Sequence, residues 1–145
     1  MHNISEEEIV RYFKGGIDCS QVVFMQWAEE LGYDQEEAAR MAAALGGGMF
    51  RGDTCGAVAG AMLVIGLKYG HYQIGDMETK AKLMAKVTEF HKKFTERCDS
   101  TICRELCGYD FSKEGDLDKA FASGKLYTLC PQYVLDALAV LDEII

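Results

Sequence analysis

Six cysteines, at positions 19, 55, 98, 103, 107 and 130, are the residues of this chain with the clearest capacity for chemistry. Cys19, Cys55, Cys103 and Cys130 share one feature, a place where a helix is expected to begin. Cys19 follows Asp18 in IDCSQ, and Cys55 follows Asp53 and Thr54 in GGGMFRGDTCGAVAG. Cys103 comes early in the segment after Asp99 and Ser100, and Cys130 stands before Pro131, a residue favoured in the first turn of a helix. A first turn has unpaired N–H groups and a partial positive charge, so a thiolate there is stabilised and its pKa falls from about 8.5 toward neutrality. Such a sulfur is readier for thiol–disulfide exchange and is a better metal ligand. The four sulfurs are therefore candidates in two roles. As catalytic thiols, Cys55 attacks a disulfide and Cys19 resolves it. As metal ligands, Cys19, Cys55, Cys103 and Cys130 hold zinc or iron, including iron–sulfur forms. The sober alternative is that they are small buried hydrophobes in tight packing, and that the protein is a non-catalytic helical interaction module.

Cys98, Cys103 and Cys107 form a second grouping, Cx4CxxxC. It matches neither the paired CxxC of zinc sites nor the repeated ferredoxin pattern. Cys103 and Cys107 share a helix face, and a local Cys98–Cys103 disulfide is compatible with the turn between them. Upstream, the loop GGGMFRG is neither a P-loop nor a dinucleotide fingerprint. Its glycines permit positive φ and expose N–H groups, so Gly47, Gly48 and Arg51 are candidates for holding an anionic cofactor, with Arg51 also placed to pair with Asp53. Loop geometry and helix packing are the simpler account, since glycine's backbone freedom is reason enough for them. His2 is terminal and His71 lies in a loop; His91, beside Phe90, reaches a thiol cluster only if that face turns inward. Tyr69, Tyr72, Tyr127 and Tyr133 fall near helix ends, where they pack or line a pocket.

The elements that must position these residues all carry the helical period, and no alternating strand stands out. Ser5–Phe13 reads as a first helix with Ser5 and Glu8 as a capping box. A second runs from Cys19 to Leu31, with Val23, Trp27 and Leu31 on its apolar stripe and Gly32 at its end. Asp34 caps a third through Leu45, whose alanines suggest a central place, and Gly46–Gly48 ends it. Asp53 or Thr54 caps a fourth, from Cys55 to Lys68. The fifth spans Met77–Arg97, with Leu83, Val87, Phe90 and Phe94 on one face. A shorter helix runs from Asp99 or Ser100 to Leu106, a turn is expected over Asp116–Ala122, and the last helix begins at Pro131. The expected fold is all-α: a compact single-domain bundle of about six to seven helices over residues 1–145, with cysteines at helix N-termini.

The 145 residues suffice for one hydrophobic core, and the net charge of −8 is spread along the chain. Clustered Lys and Arg are missing, which argues against nucleic acid and against an anionic membrane surface. The most apolar run, Ala57–Leu67, is too short for a bilayer span, and no leader pattern is visible. The expectation is a cytoplasmic protein. Cytosolic cysteines in this number are buried, metal-binding or redox-active more often than they form a disulfide framework. The alanine- and glycine-rich helices also suit a homodimer interface.

The same residues carry a resemblance. The chain is similar to the small bacterial and archaeal family of redox-active proteins named for its cysteine pattern, C_GCAxxG_C_C. Cys19 in IDCSQ resembles its first cysteine, Cys55 with Gly56, Ala57 and Gly60 its middle signature, Cys103 in CREL its third, and Cys130 in LCPQYV its fourth. The likeness runs from about Lys14 to Leu141. Thr54 precedes Cys55 where the pattern has glycine, the glycine follows instead, and Cys98 and Cys107 are additional. The resemblance implies an intracellular, redox-linked protein of a kind that occurs alone or joined to a larger oxidoreductase partner, and it names no substrate.

Overall fold

The structure, a computed structural model, describes residues 2–145. Its elements follow from local sequence. Helix α1 (Glu6–Lys14) starts where Ser5 Oγ accepts the N–H of Glu8 at 3.1 Å, and Gly15 and Gly16 stop it. Helix α2 (Cys19–Ala28) follows Asp18, whose N–H donates to Gln21 Oε1 at 2.9 Å. Helix α3 (Gln35–Ala42) is capped by Asp34, which accepts from the N–H of Glu37 at 3.0 Å. After it come a 3-10 turn (Ala43–Leu45) and a wide turn (Gly48–Gly52). Then follow α4 (Gly56–Tyr69), α5 (Met77–Cys98), α6 (Cys103–Cys107), α7 (Asp116–Ser123), α8 (Lys125–Thr128) and α9 (Cys130–Ile144). The bundle is all-α, as the periodicity predicts. The single turn α8 is additional to the expected elements, and the one β-type contact among the described residues is an isolated bridge between Thr54 and Ile102.

The centre belongs to α2, α4 and α9. Val22, Val23, Phe24 and Trp27 meet Val58, Ala61, Val64 and Ile65 in one core, which Val134, Leu138 and Leu141 close. The crossing of α2 and α4 is close because Gly60 has no side chain. A Cβ there would lie 2.6 Å from the Ser20 carbonyl oxygen and 3.1 Å from Val23 Cβ. Helix α3 is not central, contrary to its alanine content. It buries Ala38 and Ala42 alone, with Glu36, Glu37 and Arg40 on its outer side. Two α2 side chains hold its end: Ser20 Oγ donates to the Ala42 carbonyl (2.8 Å) and Gln21 Nε2 to the Ala39 carbonyl (3.0 Å).

Helix α5 packs on α9 through Phe90 and Phe94, which stack with centroids 5.7 Å apart. Lys93 and Arg97 reach Glu143 of α9 at 3.2 and 3.1 Å. The helix ends in a left-handed Asp99, φ 69°. So Asp99 terminates α5 rather than capping the next helix. Ser100 Oγ accepts the N–H of Ile102, and α6 begins only at Cys103. His2, which looks idle in the sequence, ties the chain start to two helices. Its Nδ1 is 2.8 Å from Asp142 Oδ1, its Nε2 is 3.0 Å from Glu30 Oε2, and its ring lies 4.2 Å from that of Trp27.

Candidate functional site: a thiol-lined cavity

Cys55 is itself the N-cap of α4, with Thr54 used in the bridge to Ile102. Two backbone hydrogen bonds flank that bridge: Cys55 N–H donates to the Thr101 carbonyl (2.7 Å), and Cys103 N–H donates to the Asp53 carbonyl (2.6 Å). Residues 48 positions apart in sequence are thereby fixed side by side, each at the start of a helix. Cys19 is the first residue of α2 and Cys130 the first of α9. Cys19 Sγ presses against Gly56, where an added Cβ would overlap the sulfur. The glycine directly after Cys55 is thus the room that Cys19 occupies.

The turn before Cys55 is unusual. Gly47, Gly48, Met49 and Phe50 all have left-handed backbone, φ between 55° and 64°. For Met49 and Phe50 this costs about 1–2 kcal/mol each, and strain of this kind gathers at functional sites. The turn is closed by the Asp53 N–H on the Gly48 carbonyl (3.1 Å) and held from α6 by Arg104, whose Nη1 donates to the Gly52 carbonyl (3.2 Å) and to Asp53 Oδ1 (3.3 Å). The partner of Asp53 is therefore Arg104, not Arg51. Gly47 faces the site, whereas Arg51 is exposed and Gly48 is pinned by Asp53.

Cys19, Cys55, Cys103, Cys107 and Cys130 all line one cavity of about 130 Å³. The four sulfurs expected from helix starts are there, and Cys107, which spacing left aside, joins them. Its signal was present in the sequence: four residues after Cys103, it shares that residue's helix face. Cys98 does not line the cavity. It ends α5 and donates to Asp136 Oδ2 at 3.3 Å. All six cysteines are free thiols, so the Cys98–Cys103 bridge is not formed. Among the described residues no three His, Cys, Asp or Glu side chains are grouped so as to hold a metal ion. His91 sits elsewhere, on the α5 surface beside Val87 and Thr95, and does not line the thiol cavity. Tyr127 and Tyr133 line the cavity, and Tyr133 donates its hydroxyl to the Leu106 carbonyl at 2.9 Å. Tyr72 is exposed.

The electrostatics reverse one expectation. Helix-start placement predicts lowered thiol pKa values, yet burial pushes Cys19, Cys55 and Cys130 up, Cys55 to about 12. The N–H groups of Ala57 and Val58 pull Cys55 down, and that of Gly47 pulls Cys19 down. Desolvation outweighs them, because a thiolate in an apolar cavity loses more solvation than a few amides restore. The exception is the pair on α6. Cys103 and Cys107, one turn apart, interact closely enough to titrate together, the interaction raising Cys103 and lowering Cys107. The Cys107 S–H donates to the Tyr109 carbonyl at 3.4 Å. The two sulfurs lose a first proton easily and the second with difficulty, as a unit. Within this pair the lowered thiol is Cys107, at the end of its helix rather than the beginning.

An all-helical bundle that gathers five thiols from four helix starts and one helix end around an apolar hollow is a cysteine-pocket protein. The chain belongs to the family described as putative redox-active protein (C_GCAxxG_C_C), whose model matches residues 17–144. Neither a curated protein nor a solved structure matches it. Among the described residues no helix is long and apolar enough to cross a membrane.

Proposed function

We propose that this is a dithiol redox protein in which Cys107, not Cys55, is the attacking sulfur. The observation that carries the reading is five thiols lining one cavity, two of which, Cys103 and Cys107, stand one turn apart on α6 and titrate as a pair. The Cys107 thiolate attacks a disulfide RS–SR′, a bond forms between Cys107 Sγ and RS, and R′S⁻ leaves. A second thiol then attacks Cys107 Sγ, the mixed disulfide breaks and RS⁻ leaves. Two thiols of the protein give up two electrons, and their protons depart with RSH and R′SH. Cys103 is a poor resolving thiol, since an i, i+4 pair in one helix fits disulfide geometry badly. Cys130, on another helix and lining the same cavity, suits that step better. A dithiol reductant, the oxidoreductase partner of the resemblance, returns the electrons.

The test is a thiol count on protein purified without oxygen, before and after one equivalent of a disulfide and again after a dithiol. Two thiols should disappear and return. Cys107→Ser should abolish the cycle and Cys98→Ser should leave it intact. Stoichiometric zinc or iron that is lost in Cys55→Ser would replace exchange with metal ligation.

A second reading has its own support. Cys55, Cys103 and Cys107 are buried, and most of the thiols are held protonated. On that reading the sulfurs are packing groups and the bundle is an interaction module for a fused or neighbouring chain. Six thiols that stay unreactive in the folded protein would establish it.

A further inference from the structure

The same cavity carries information about what it admits. Apart from the thiols, Asp18 and the hydroxyls of Tyr127 and Tyr133, the walls are apolar: Phe50, Phe111, Leu117, Phe121 and Leu126 line the space together. Leu117, Phe121 and Phe50 are 38%, 46% and 48% exposed, so apolar side chains from α7 and from the left-handed turn stand at its opening. Among the described residues no Lys, Arg or His lines it. Lys14 and Lys125 sit over the rings of Tyr127 and Tyr109, 5.6 and 5.7 Å from the centroids, off the lining itself. An anion entering would find no side-chain cation in the walls and would face the Asp18 carboxyl. The helix-start amides are outweighed by desolvation even for the cavity's own thiols. Leaving a buried charge unpaired is strongly unfavourable. As to size, an apolar cavity of about 150 Å³ is known to take up benzene, and one of about 130 Å³ is close to that capacity.

We propose that the cavity is a subsite for one uncharged, ring-sized apolar group, so that the protein's disulfide substrates are neutral aryl or branched-alkyl disulfides rather than anionic peptide disulfides. This rests on the redox reading for its chemistry, while the selectivity follows from the walls. In the reaction one aryl disulfide and two protein thiols become two aryl thiols and one protein disulfide. The ligand S–S bond breaks, a protein S–S bond forms, and both protons leave on the aryl thiols.

The experiment compares two reagents, uncharged dithiodipyridine and dianionic dithiobis-nitrobenzoate, on the whole protein. Their rate ratio is measured folded and again in urea, which removes their intrinsic difference. Folding should shift the ratio toward the neutral reagent by about tenfold or more, the value of burying one ring. Toluene, which cannot react, should slow the neutral reagent in folded protein only and raise its Tm. Phe121→Arg, at a half-exposed position, should move the ratio back toward the dianion. An unchanged ratio on unfolding, or toluene without effect, overturns the subsite. If the ratio and toluene protection hold but only mixed disulfides accumulate, the redox reading fails and the subsite stands. If both reagents drive an internal disulfide equally fast, the redox reading stands and the subsite falls.

Discussion

At the scale of single residues, the site depends on what a glycine leaves empty. Cys19 Sγ occupies the space that a side chain on residue 56 would fill. Gly56→Ala must therefore displace Cys19 or shift α4 against α2. The Leu45 carbonyl oxygen and the Ser20 N, each 3.2 Å from the added Cβ, leave little alternative space. We expect a loss of about 1–3 kcal/mol, read from urea midpoints, together with greater labelling of Cys19 by a thiol reagent. A Gly56→Ala variant as stable as the parent, with Cys19 still protected, would contradict the placement. The residue scale also explains why thiol reactivity is hard to read from sequence. A helix start is legible from Asp18, Thr54 or Pro131, but the desolvation that opposes it depends on Phe111, Leu126 and Tyr133, which arrive from other elements.

At the scale of elements, α2 against α4 is the contact on which the cysteine arrangement stands. Gly60→Ala drives a Cβ into the Ser20 carbonyl, backbone that cannot swing aside, and should cost about 1–3 kcal/mol. Gly66→Ala, on the same helix with nothing within 4 Å of the new Cβ, should instead stabilise by about 0.5–1 kcal/mol. Thermal melts of the two variants should move in opposite directions; a shared direction would mean that propensity, not packing, governs α4. Most helices were legible in the sequence because caps and periodicity are local: Ser5, Asp34 and the Phe90/Phe94 spacing mark what the structure contains. What stayed hidden was set by distant partners. The bridge of Thr54 to Ile102 delays α6 to Cys103, and the left-handed run through Phe50 has no signature beyond its first two glycines. The alanines of α3 pointed to the centre, but small residues only permit close packing. The larger apolar faces of α2 and α4 decide who takes the middle.

For the molecule as a whole, the buried thiols make the fold sensitive to base. Cys19, Cys55 and Cys130 are raised above the ordinary value of 9.0 by burial, and Cys98 by burial and Asp136. In the unfolded chain these thiols ionise near 9.0, while in the fold Cys55 and Cys98 hold their protons to about 12. Their contribution is complete below the unfolded value and is lost as pH rises toward the folded one. Under reductant, the urea midpoint should therefore fall between pH 9 and 12, and replacing Cys55 by Ala should flatten that decline. A midpoint unchanged over the range would show that the thiols are in contact with water. The cavity's walls come from the two ends and the middle of the chain, and this has a topological consequence. A covalent link from Cys107 to Cys130 would close a loop of roughly two dozen residues and restrict the unfolded chain by about 3 kcal/mol. The oxidised molecule would then outlast the reduced one against heat and protease, so its electron load could be read from how long it survives digestion.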